Sequence, residues 1–97
     1  MNHGIEFLTR LEAIIRERLA SGDPASYTSA LAASGDRRIA QKIGEEGVEF
    51  ALAAVAGTRE EQLGEAADLV YHLLVMLAVK ELSLADVAAV LENRHAG

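Results

Sequence analysis

The chain has 97 residues and a formal charge of −6, from nine basic and fifteen acidic side chains. Its length makes one domain, residues 1–97, because two independent cores need more chain. It has no cysteine, which excludes disulfides and thiol chemistry, and an acidic chain without a basic run is not built to hold nucleic acid.

Residues 5–20, IEFLTRLEAIIRERLA, space Ile5, Leu8, Leu11, Ile15 and Leu19 as the apolar stripe of an amphipathic helix. SGDP at 21–24 breaks it, with Asp23 as N-cap and Pro24 as first residue of a short second helix ending near Gly35. A long third helix is expected from Asp36 to about Ala56, closed by Gly57. Thr58 and Glu61 have capping-box spacing and open a fourth helix running to about Leu82. Ser83 and Asp86 repeat the start signal for a last helix ending near Asn93. Short loops make the long helices antiparallel neighbours, so the expected fold is an all-α antiparallel bundle of four to five helices.

Between Ala66 and Val79 only Asp68 and His72 are polar, besides the amphipathic Tyr71, and apolar residues point in every direction around the axis. A chain this small cannot enclose such a helix, so a homodimer is expected to complete the bundle. The uncharged run Leu69–Val79 has eleven residues, short of the roughly 20 that span a bilayer. The N-terminal segment carries charge where a signal peptide needs an apolar core. The expectation is a soluble, cytoplasmic protein with no membrane partner.

The third helix places Lys42, Glu45, Glu46 and Glu49 within an arc of roughly 100°, and the fourth repeats the Glu46–Glu49 spacing with Glu65 and Asp68. Both pairs lie about nine residues from the same turn, so the antiparallel hairpin sets them side by side. Converging carboxylates repel and raise one another's pKa unless a cation fills the space. Oxygen ligands without Cys or a His pair suit Mg²⁺ or Mn²⁺, and Mg²⁺ typically bridges carboxylates to substrate phosphates. A di-iron centre would need Glu-x-x-His, and Asp68 stands where that His is required. His72, a turn further on, is expected to pack or hydrogen-bond. Lys42 suits either a substrate phosphate or a salt bridge to Glu45 or Glu46. Gly44 and Gly47 each cost about 1 kcal/mol inside a helix, and close helix approach is their expected compensation.

Glu45-Glu46-x-x-Glu49, fifteen residues, then Glu65-x-x-Asp68 resembles the EExxE…ExxD pattern of the all-α nucleoside triphosphate pyrophosphohydrolases. The words SYTSAL (26–31), QKIGEEGVE (41–49) and EAADLVYHLLVML (65–77) are similar to the phosphoribosyl-ATP pyrophosphatase family of histidine biosynthesis, over nearly the whole chain. Gly47 departs from the Ala frequent in that family. The resemblance implies Mg²⁺-dependent hydrolysis of phosphoribosyl-ATP to phosphoribosyl-AMP and pyrophosphate by a helical homodimer. It implies Glu46, Glu49, Glu65 and Asp68 as metal ligands and Glu45 as a further ligand or the residue orienting water. Lys42 would contact phosphate, and Ser26, Tyr27 and Thr28 belong to the family's signature, with Tyr27 and Thr28 expected to bind substrate. The second domain that some relatives carry is not expected here. A house-cleaning nucleotide pyrophosphatase and a non-catalytic helical interaction module are the competing readings.

Overall fold

The computed structural model describes residues 3–96. Among them every regular element is helical: α1 (His3–Ser21), α2 (Tyr27–Ala33), α3 (Asp36–Ala56), α4 (Arg59–Val79) and α5 (Leu84–Arg94). The expected all-α class and the five helices are therefore present.

The helix starts follow side-chain chemistry. Thr58 Oγ1 accepts from Glu61 N at 3.2 Å, and Glu61 Oε1 accepts from Thr58 N at 2.7 Å, which closes the capping box of α4. Ser83 and Asp86 do the same for α5, whose first N–H, at Leu84, also donates to Glu12 Oε2 on α1 at 2.7 Å. The start of α2 differs from expectation. Asp23 Oδ1 accepts from Ala25 N at 2.9 Å, so Asp23 and Pro24 make a turn, and Ser26 becomes the N-cap. The end of α4 also differs, at Val79 rather than near Leu82. Glu81 adopts φ 59°, Leu82 N donates to Leu77 O at 2.7 Å and Glu81 N to Ala78 O at 3.0 Å. That is a Schellman stop, with glutamate in the left-handed position that glycine usually fills.

The core is small. Ile15, Leu31, Ile39, Leu74 and Val75 are its buried apolar residues, flanked by Leu11, Leu19, Ile43 and Tyr71. Each of the first four helices thus contributes, and α3 with α4 forms the most extensive pairing. By length and composition α4 could cross a bilayer. Leu74 and Val75 pack into the core against α1, α2 and α3, Leu63, Val70 and Leu73 stay exposed, and Glu65 and Asp68 stand near its middle.

Within the chain Gly44 and Gly47 do not serve close helix approach. A Cβ built at either meets nothing within 4 Å, whereas one at Gly57 would lie 2.9 Å from Ala53 O. The glycine that packing requires is the one closing α3.

Candidate functional site

The α3–α4 hairpin brings three of the expected carboxylates together. Glu46, Glu49 and Glu65 each offer an oxygen, and these oxygens lie within 4.8 Å of one another. Glu49 and Glu65 line a cleft of about 660 Å³ that runs towards the Gly57 turn, and Asp68 lines the same cleft without joining the tight cluster. Asp68 also borders an apolar groove between α1 and α4, walled by Phe7, Leu8, Leu11, Leu63 and Val70. Periodicity within single helices gave no signal for that groove.

Glu46 is the deepest of the set, at 6% exposure. Lys42 Nζ lies 3.5 Å from its Oε1, while Oε2 is buried without a hydrogen-bond partner. A buried carboxylate oxygen left unpaired costs more than its Coulomb partner returns, so the site fits a cation better than it fits its own carboxylates alone. Glu65 reports the same strain. Its carboxyl is held above the ordinary range, first by desolvation, then by the charge of Glu49 and a hydrogen bond with it, then by the charges of Glu46 and Asp68. The donor set, all carboxylate oxygen, suits a hard divalent ion.

Glu45 faces elsewhere. It is exposed, accepts from Gln41 Nε2 at 3.0 Å, and lies 4.0 Å from Lys42 Nζ. Lys42 thus bridges the buried and the exposed glutamate of the pair, which satisfies the salt-bridge reading and leaves its other protons available.

On the far side of the carboxylates from the turn, α2 packs against α4. The hydroxyl of Thr28 is fully buried and shares a hydrogen bond with Tyr71 Oη. Tyr27, half-exposed, hydrogen-bonds His72 Nε2 at 2.7 Å. His72 is buried, with Nδ1 2.7 Å from Asp68 O. Its ring stands edge-on to both tyrosines, at centroid distances of 5.8 Å. The packing role expected of His72 is met, and its link to Asp68 joins the SYT segment to the carboxylate site.

Comparison with known proteins agrees with this geometry. The phosphoribosyl-ATP pyrophosphohydrolase profile matches residues 8–95. A phosphoribosyl-ATP pyrophosphatase of Novosphingobium aromaticivorans is 52% identical over 95 residues, covering 98% of this chain and 88% of that protein. One from Pyrobaculum calidifontis is 55% identical over 87 residues, covering 90% and 93% respectively. The histidine biosynthesis bifunctional protein HisIE of Campylobacter jejuni is 52% identical over 94 residues, and the chain matches 45% of its length. With a profile match over nearly its whole length and relatives above half identity, the chain belongs to the phosphoribosyl-ATP pyrophosphohydrolase family.

Proposed function

We propose that the chain is a phosphoribosyl-ATP pyrophosphatase, a hydrolase that adds one water across a phosphoric anhydride to give phosphoribosyl-AMP and pyrophosphate in the second step of histidine biosynthesis. The observation that carries this reading is the cluster of Glu46, Glu49 and Glu65 with an orphaned buried oxygen, set in a chain of this family.

Glu46, Glu49, Glu65 and Asp68 would hold Mg²⁺, or Mn²⁺ in its place. When bound, such an ion neutralises phosphate charge and lowers the pKa of water. The remaining roles belong to protein groups. Lys42 donates to a phosphate oxygen of the substrate, drawing on the protons its contacts with Glu45 and Glu46 leave free. Glu45, which faces away from the cluster towards Gln41, would orient the attacking water by turning its exposed side chain to the site. Tyr27 meets the substrate, and buried Thr28 acts through Tyr71 by fixing α2 on α4.

A homodimer accompanies this reading. Val48, Leu52 and Val55, spaced as one stripe along α3, are 60%, 66% and 87% exposed. A second copy removes that stripe from water. A single-domain cytoplasmic enzyme with no nucleic-acid or membrane partner goes with the same assignment.

The direct test incubates purified protein with phosphoribosyl-ATP and Mg²⁺. Stoichiometric pyrophosphate release is expected, and folded protein that releases none ends the proposal.

A further inference from the structure

The carboxylate cluster has two unlike flanks. Lys42 precedes Glu46 by one turn of α3, so its ammonium stands on the side away from the Gly57 turn. Towards that turn runs the cleft of about 660 Å³, with Glu49, Glu65 and Asp68 at its head. Its tail is lined by Leu52, Ala53, Ala56, Gly57 and Gly64, and by one polar side chain, Glu61. A Cβ built at Gly64 meets nothing within 4 Å, so the wall on α4 is low and the space beside it open.

Among the described residues no basic side chain lines this cleft. Glu61 uses Oε1 to accept from Thr58 N at 2.7 Å, which leaves Oε2 as a free acceptor. An ionised carboxylate accepts hydrogen bonds and donates none. A phosphate is therefore repelled from the tail, and an uncharged group carrying N–H is drawn in. Along the axis of α4, Glu61 lies four residues, about 6 Å, from Glu65. A nucleoside laid along that axis, with its phosphate at the carboxylates, brings its base beside Glu61.

We propose that the cleft between the carboxylates and the Gly57 turn is the purine subsite, with Glu61 Oε2 accepting from the 6-amino group of the base. Lys42 then meets the phosphates on the other flank, which lays the anhydride across the carboxylates. Glu61 is a specificity residue: it favours an amino group at C6 and opposes a carbonyl oxygen there. The inference rests on the proposed function, because it places one part of that substrate.

Glu61→Gln isolates the charge, since glutamine can take the same place in the capping box. Calorimetric titration in Mg²⁺ should compare AMP with IMP, which carry an amino group and a carbonyl oxygen at C6. Wild-type protein should bind AMP about tenfold more tightly than IMP. Glu61→Gln should lose that preference while keeping the wild-type melting temperature. A preference that persists in Glu61→Gln refutes the contact. So does equal or absent binding of the two by the wild type, the result if a second copy fills the cleft. Titration reads binding without turnover. A protein that prefers AMP yet leaves phosphoribosyl-ATP intact therefore fails the proposed function and keeps the purine subsite.

Discussion

Lys42 reaches only one side of Glu46: its Nζ lies 3.5 Å from Oε1, and Oε2 remains buried and unpartnered. Glu46→Gln keeps the shape and removes the charge. Metal-free Glu46→Gln should be no less stable than wild type, since it relieves repulsion with Glu49 and Glu65. It should lose the rise in melting temperature that Mg²⁺ gives the wild type, and pyrophosphate release should fall at least ~100-fold. Melting curves with and without Mg²⁺ decide this, and an unchanged Mg²⁺ response would take Glu46 out of the metal site.

Glu49→Gln and Asp68→Asn act on exposed carboxylates, so neither should disturb folding. Each is expected to abolish turnover while far-ultraviolet dichroism stays at the wild-type value. Wild-type rates in either variant would contradict the four-carboxylate assignment. Asp68 is the sharper case, because it lines the cleft outside the tight cluster.

The raised carboxyl of Glu65 makes stability depend on pH in a definite direction. The native state binds this proton more tightly than the unfolded chain, whose value is near 4.5. In metal-free protein this carboxyl should therefore contribute a loss of stability as pH rises from that point through the raised native value, read as the difference between wild type and Glu65→Gln. Glu65→Gln should flatten the profile. Mg²⁺ should do so too, by favouring the ionised cluster. A wild-type profile that climbs relative to that of Glu65→Gln over this window without metal would contradict the origin given for the shift.

The glycines separate into two kinds. Gly47→Ala meets nothing within 4 Å and should stabilise α3 by about 1 kcal/mol through helix propensity. Gly57→Ala would place its Cβ 2.9 Å from the backbone oxygen of Ala53 and should cost about 1–2 kcal/mol. Urea denaturation of the two variants gives opposite signs if the turn is as tight as described.

Charging the exposed stripe on α3 tests the dimer. Val48→Glu with Val55→Glu substitutes residues 60% and 87% exposed, so the folded subunit should tolerate both. Sedimentation velocity should show the mass halved relative to wild type. A wild-type protein already monomeric at micromolar concentration would remove the homodimer from the proposal.

Legibility in the sequence followed the range of the interactions. Helix starts set by a side chain three residues from its partner, as at Thr58 and Ser83, could be read directly. The end of α4 could not, because Glu81 has no residue-type signature for the left-handed conformation it takes. The carboxylate arc was visible from helical periodicity. Which oxygens converge depends also on how α4 is tilted and rotated on α3, and that separates Asp68 from the three glutamates. The Tyr27–His72 bond joins residues 45 positions apart through the packing of α2 on α4, so no local spacing announced it.

The capping box at Thr58 acts as the zero mark of a ruler. Glu65 stands where it does because α4 starts at one fixed residue, held by Glu61 and by Gln62 Nε2 donating to Gly57 O at 3.2 Å. One residue inserted between Gln62 and Glu65 would turn every later side chain of α4 by about 100°, carrying Glu65 and His72 away from Glu46 and Tyr27 together. Point substitutions can weaken this site one ligand at a time, but a change of length in that single helical turn would dismantle both halves at once.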